Sequence, residues 1–114
     1  MIQISLPLPP TINHYYGHRG SQKFIKKAGI EFRKLVAEIV SMQEIKTLEG
    51  RLAVFVAVYP ADRRRQDIDN RLKSLLDALT HAGVWIDDSQ IDDLHIVRRE
   101  IVKGGRVRVV ITET

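Results

Sequence analysis

Residues 52–59 read Leu-Ala-Val-Phe-Val-Ala-Val-Tyr, an uncharged run introduced by Gly50 and stopped by Pro60. β-Branched and aromatic side chains crowd it, as they crowd strands generally. The run is continuous rather than alternating, so it predicts a central strand covered on both faces. Toward the C-terminus, a loop from Ala61 to Gln66 gives way to Ile68, Leu72, Leu75, Leu76 and Leu79. That spacing predicts an amphipathic helix, with Gly83 as the residue that ends it. Leu94 to Val102 and Arg106 to Thr112 are β-rich and meet around Gly104-Gly105, a pair suited to a two-residue hairpin turn. Toward the N-terminus, Phe32, Leu35, Val36, Ile39 and Val40 predict one buried face of a helix that begins near Ala28 and frays between Glu44 and Thr47. Thr11 to about Lys27 is polar and turn-prone and reads as a surface loop. Residues 2–6 alternate like a short strand that Pro7, Pro9 and Pro10 stop. The resulting order is β-α-β-α-β-β. It implies an α+β fold, a small mixed sheet packed with two helices, in a single domain over residues 1–114.

A hydrophobic fraction of 44% and a charged fraction of 28% are ordinary for a globular domain and exclude extended disorder. Cysteine is absent, which excludes disulfides, a thiolate nucleophile and Cys-based zinc sites. The four histidines (His14, His18, His81 and His95) lack metal-ligand spacing, and there is neither a GxSxG element nor a P-loop pattern. No apolar run approaches the roughly 20 residues of a spanning helix, and the first ten residues lack the pattern of a secretory signal. A cytoplasmic protein without a membrane partner is the expectation.

The formal net charge is +4, which favours polyanionic partners. Its distribution is more informative. Arg19, Lys23, Lys26, Lys27, Arg33 and Lys34 face a single acid, Glu31, within residues 1–34. Residues 67–93 hold seven of the fourteen acids: Asp67, Asp69, Asp77, Asp87, Asp88, Asp92 and Asp93. Asp67 and Asp69 stand two apart at a junction between strand, loop and helix. An extended approach there puts both carboxylates on one side, in front of the helix N-terminus. Lys73 follows Asp69 by four residues and points the same way, with Asn70 on the adjoining flank. Paired carboxylates suit a hard cation such as Mg²⁺, which keeps its waters and takes the remaining ligands from substrate phosphate. A chain that turns back after Trp85 and Ile86 would deliver Asp88 as a third carboxylate. Simpler readings stand beside these: Asp69 as a helix N-cap, Asp77 as a solvated partner of Lys73, and Asp92 and Asp93 as a turn or strand entry. Arg63, Arg64 and Arg65 are a solvated loop or, next to a metal-binding pair, contacts to a phosphate backbone.

At Asp67-Ile-Asp-Asn with Lys73, and at Asp77-Ala-Leu-Thr-His-Ala-Gly-Val-Trp-Ile-Asp-Asp-Ser-Gln90, the chain resembles the RusA family of Holliday junction resolvases. The family pattern is DxDN-x-x-K followed by DALxxAGxWxDDxQ, and Leu6-Pro-Leu-Pro-Pro10, Asn13, Tyr15-Tyr16 and Lys103-Gly-Gly-Arg106 extend the likeness over nearly the whole chain. The resemblance implies a Mg²⁺-dependent homodimer, with Mn²⁺ as a substitute ion, that cuts four-way DNA junctions by paired symmetrical nicks and leaves 5′-phosphate and 3′-hydroxyl ends. It implies Asp67, Asp69 and Asp88 as catalytic metal ligands, Lys73 as the catalytic lysine and Asp87 as a supporting acid. One departure is visible: Gln66 stands where a basic residue often precedes the motif, a phosphate contact that Arg65 would have to replace. Arg63–Arg65, Lys23, Lys26, Lys27 and the Arg98, Arg99, Arg106, Arg108 hairpin face would hold the branched DNA, and no small-molecule substrate is expected. Tyr15 or Tyr16 would stack on an unpaired base or pack against the prolines. Two other readings remain: a non-catalytic junction-binding recombination accessory protein, and a flap or fork nuclease.

Overall fold

A computed structural model describes residues 1–114. The chain opens with β1 (Ile2–Leu6), whose Ile4 and Leu6 point into the core. After the prolines comes α1 (Ile12–Tyr15), a single turn, and then an antiparallel hairpin of β2 (Tyr16–Arg19) and β3 (Gln22–Ile25). The Thr11–Lys27 stretch, which reads as a loop, is therefore ordered. Its polar residues are exposed along the hairpin, but fully buried Tyr15 ties the segment to the core. Backbone bonds from Ile12 N–H to the Asn70 carbonyl (3.0 Å) and from Lys26 N–H to the Tyr15 carbonyl (2.8 Å) fasten both ends of α1.

The long helix α2 (Lys27–Met42) buries Phe32, Val36 and Val40, spaced four apart. Ile39 is half-buried, and Leu35, on the flank of that stripe, is 40% exposed rather than part of the core. Glu44, at φ 53°, turns the chain away after the helix ends. Strand β4 (Leu52–Tyr59) follows, then α3 (Leu72–His81), a 3-10 turn (Asp88–Gln90), β5 (Ile91–Arg98) and β6 (Arg106–Glu113).

The four long strands form a mixed sheet in the order β1-β6-β4-β5. β6 is antiparallel to both β1 and β4, whereas β5 is parallel to β4. A parallel pair needs a crossover connection, and residues 60–90 with α3 supply it. Two expectations change as a result. β5 and β6 do not form a hairpin, because β4 lies between them. Gly104 (φ 80°) and Gly105 (φ 69°) do make the left-handed turn, but it carries the chain past the end of β4. Arg98, Arg99, Arg106 and Arg108 are accordingly not one face: Arg106 lies over the Tyr59 ring at 4.6 Å, and Arg108 donates to Gln3 Oε1 at 2.9 Å.

β4 is central, as its composition requires, but only one face is fully packed. Leu52, Val54 and Val56 join α2 and α3 in the core, while Ala53 and Phe55 on the other face are half-buried. Small alanines and the long side chains of neighbouring strands permit this, so a continuous apolar run overstates the cover. β5 is an edge strand with Asp92, Asp93 and His95 exposed, which deters pairing with other chains. Asp92 is bound by Arg51, and His95 Nε2 lies 3.0 Å from Asp93. No helix is long and apolar enough to cross a membrane.

Candidate active site

The site is built where α3 begins and where the chain returns after it. The C-terminal end of α3 is closed by Gly83 at φ 82°: its N–H bonds to the Thr80 carbonyl (3.0 Å), and Val84 N–H bonds to that of Leu79 (3.1 Å). This six-residue closure needs a left-handed residue, hence glycine. Buried Val84 and Trp85 then lock the turn, with Trp85 Nε1 donating to Thr80 Oγ1 at 2.6 Å.

The segment Asp87-Asp-Ser-Gln90 follows from that anchor. Asp87 caps the 3-10 turn by accepting from Ser89 N–H at 3.1 Å. Gln90, 8% exposed, accepts from the N–H groups of Ile86 (2.8 Å) and Asp87 (2.9 Å) and donates to the carbonyls of Leu48 (3.0 Å) and Gly50 (2.9 Å). All its polar capacity is used, so it acts as a rivet between the turn and the strand entering the sheet. Asp88 sits on this mount with its carboxylate in solvent. The cap lowers the Asp87 carboxyl below its usual range, chiefly through the Ser89 bonds.

Before α3, Asp67, Ile68 and Asp69 form a turn closed by Asn70 N–H to the Asp67 carbonyl (3.2 Å) and Leu72 N–H to the Asp69 carbonyl (3.1 Å). Asp69 does not cap the helix: Arg71 holds the cap position and no side chain bonds there. Asn70 acts through its backbone, which holds α1. Of the eight aspartates, five are committed: Asp62 to Arg64, Asp77 to Tyr15 and Arg33, Asp87 to Ser89, Asp92 to Arg51 and Asp93 to His95. Asp67, Asp69 and Asp88 have neither a side-chain hydrogen bond nor an ion pair, and all three are exposed. No three acidic or histidine side chains stand close enough together to hold a metal ion. The free carboxylates fit a hard cation in kind, but the expected convergence of Asp88 on Asp67 and Asp69 is not displayed within this single chain.

Two basic banks flank them. On one side Lys23 Nζ lies 3.9 Å and Lys73 Nζ 5.8 Å from the centre of the Tyr16 ring. Burial raises the Tyr16 hydroxyl, and the charge of Asp77 adds to that effect. Lys26 donates to the Asn13 carbonyl at 2.8 Å, and Lys27 reaches Glu31 at 4.0 Å in a fully solvated pair. On the other side Asp67 borders a cleft with Arg63, Arg64 and Arg65. Arg64 is tied to Asp62, whereas Arg63 and Arg65 are exposed and free. Gln66 is engaged twice: its side chain accepts from Arg71 Nε (3.2 Å) and its carbonyl from Arg98 (2.6 Å).

Beneath the banks lies a polar network that sequence reasoning misses. Asp77 is not a solvated partner of Lys73. It accepts from the Tyr15 hydroxyl and from Arg33 Nε (3.0 Å) and an Arg33 terminal nitrogen (2.6 Å), joining α1, α2 and α3. Burial alone would raise the Asp77 carboxyl, but the Tyr15 and Arg33 bonds outweigh it and hold the group below the usual carboxylate range. Tyr15, fully buried here, cannot stack on a base, and burial with the Asp77 bond drives its hydroxyl well above the ordinary range. The spacing Asp87 to Gln90 matches a capping box and could have announced Gln90. Nothing local announces the Tyr15–Arg33–Asp77 triad, whose members are far apart in the chain.

A small α+β protein with unpaired carboxylates at and after a helix, one of them bordering an arginine-lined cleft, has the makings of a nuclease. The family model described as endodeoxyribonuclease RusA matches residues 7–112. The chain is 43% identical over 112 residues to the crossover junction endodeoxyribonuclease rusA of Enterobacteria phage HK97, covering 97% of this chain and 93% of that protein. It is 41% identical to the phage 82 protein of the same name and 39% identical to that of Escherichia coli K12, each over 96% of this chain and 92% of the relative. The chain belongs to the RusA endodeoxyribonuclease family.

Proposed function

We propose that the protein resolves four-way DNA junctions as a homodimer, hydrolysing one phosphodiester in each of two symmetry-related strands. The observation that carries this reading is the selective freedom of Asp67, Asp69 and Asp88 among eight aspartates, with Asp67 beside an arginine-lined cleft. Those three carboxylates would hold Mg²⁺, or Mn²⁺ in its place. When bound, such an ion stabilises charge on the phosphate and makes a bound water more acidic. Lys73 contributes a positive charge directed at the scissile phosphate, where it stabilises the charge that develops as the P–O bond breaks. Tyr16 keeps that ammonium and the Lys23 ammonium on one side of the site through its ring. Asp87 and Gln90 act on Asp88 alone, by setting the turn that carries it. Water adds to phosphorus and the 3′ oxygen departs, leaving 5′-phosphate and 3′-hydroxyl ends.

A junction presents two equivalent strands, and a two-fold dimer presents two identical sites in matching orientation. The test is incubation of the protein with an end-labelled four-way junction, a replication fork, a flap and a linear duplex, with Mg²⁺, with Mn²⁺ and with chelator. Paired nicks confined to the junction and dependent on the metal are expected. Binding without nicking would make it an accessory protein, and preferential cutting of forks or flaps would reassign its substrate.

A further inference from the structure

The arginine cleft beside Asp67 has a chemistry that phosphate contacts alone do not explain. It encloses about 590 Å³ between the loop before α3 and the chain leaving β5, within the range of roughly 300–1,000 Å³ of pockets that take drug-sized molecules. Arg63, Arg65, Arg98 and Arg99 stand on its walls and Ile68 and Ile101 on its apolar side. The side chains of Arg63, Arg65 and Arg99 make no hydrogen bond or ion pair, and Arg99 is held only through its backbone N–H to the Val58 carbonyl (2.8 Å), so their guanidinium groups are available to a ligand. Ile68 and Ile101 are 41% and 46% exposed, an apolar surface left open in a cleft whose arginines outnumber its three acids, Asp62, Asp67 and Glu100.

We infer that this cleft receives one unpaired nucleotide of the strand that passes the carboxylates, its phosphate on the arginines and its base against Ile68 and Ile101. A duplex backbone presents only phosphates and would leave the isoleucines wet. An unstacked base covers them, and arginine planes stack on bases as aromatic rings do. A base leaves its stack most cheaply where pairing is already broken, which is the condition at a branch point. Asp67 borders the same cleft, so the extruded nucleotide lies next to the bond to be cut. Tyr16, expected from the sequence as a stacking candidate, has its ring occupied by Lys23 on the opposite bank.

The inference rests on the proposed action on branched DNA, and its test separates the two. A four-way junction carrying 2-aminopurine at the branch point is titrated with protein in chelator, so that no cutting occurs, at several salt concentrations. Binding should raise the 2-aminopurine fluorescence as the base unstacks. An R63A/R99A double variant should bind more weakly, with a salt slope shallower by roughly two, and R63K/R99K should restore the slope. I101A should keep the slope, bind roughly fivefold more weakly and lose most of the fluorescence rise. An unchanged slope in R63A/R99A, or a fluorescence rise in I101A equal to that of the unsubstituted protein, overturns the inference. So does a change of oligomeric state in either variant, since the cleft would then be covered by a second copy. Junction cutting with Mg²⁺ despite those results would leave the proposed function standing. Unstacking as described without any cutting would sink the nuclease reading and keep the cleft.

Discussion

Replacing Gln90 by alanine tests the link between the fold and the reacting groups. The substitution removes four hydrogen bonds of 2.8–3.0 Å at once and leaves two backbone N–H groups and two carbonyls without partners. A net contribution of about 0.5–1.5 kcal/mol per bond gives roughly 2–6 kcal/mol. Gln90 is 8% exposed, and the truncated side chain lets water reach some of the orphaned groups, so we expect about 2–4 kcal/mol. Urea unfolding followed by far-UV circular dichroism measures it. A second consequence concerns Asp88, whose turn loses its rivet. Junction cleavage should fall at least tenfold under conditions where the variant is still more than nine-tenths folded, with junction affinity in chelator nearly unchanged. Gln90→Glu keeps the size and both acceptors but turns a carboxylate toward the Leu48 and Gly50 carbonyls, so it should be destabilised as well. A loss of less than about 1 kcal/mol in Q90A, or full cleavage by the folded variant, would refute the reasoning.

Asp67→Asn should lower Mg²⁺-dependent cleavage at least a hundredfold and leave junction binding in chelator intact; cleavage on a labelled junction and a gel-shift titration report the two separately. Lys73→Ala should reduce turnover by roughly 10²–10³ with a smaller effect on binding, and Tyr16→Leu should reproduce a fraction of that loss while Tyr16→Phe, which keeps the ring, should not. Asp77→Asn should cost about 1–2 kcal/mol, a value reduced for partial exposure, measured by urea unfolding at pH 7. The Asp77 carboxyl is held low in the folded state, so its contribution is fully present above the unfolded value near pH 4 and is lost as pH falls through the folded value. Stability of the unsubstituted protein should therefore fall more steeply below about pH 4 than that of Asp77→Asn, and parallel curves would remove Asp77 from the network's energetics.

Much of the fold could be read before any coordinates. The uncharged 52–59 run, the two helical stripes and the glycine after α3 are local signals, set by side-chain period and backbone freedom; β4, α2 and the end of α3 stand where they place them, whereas Ile68, read as the start of the second stripe, lies in the turn before α3 and is 41% exposed. Elements joined only by distant pairing were not legible. The sheet order depends on β5 lying parallel to β4, and the Gly104-Gly105 turn looks the same whether or not the flanking strands pair. Polar Thr11–Lys27 hid a hairpin because its single anchor, Tyr15, is one residue with no periodic companion.

For the site, the residue types and spacings of Asp67, Asp69, Lys73 and Asp88 were determined by the sequence alone, because chemistry and motif spacing are carried along the chain. Their environment was a matter of tertiary structure. Asp77 and Asp92 are held by partners 41 to 62 residues away, Arg33 and Tyr15 for the first and Arg51 for the second, whereas Asp62, Asp87 and Asp93 are held by near neighbours whose reach depends on the local backbone. A hydrogen bond acts over about 3 Å in space whatever the separation in sequence, so only the packed chain could distinguish a committed carboxylate from one left free to act.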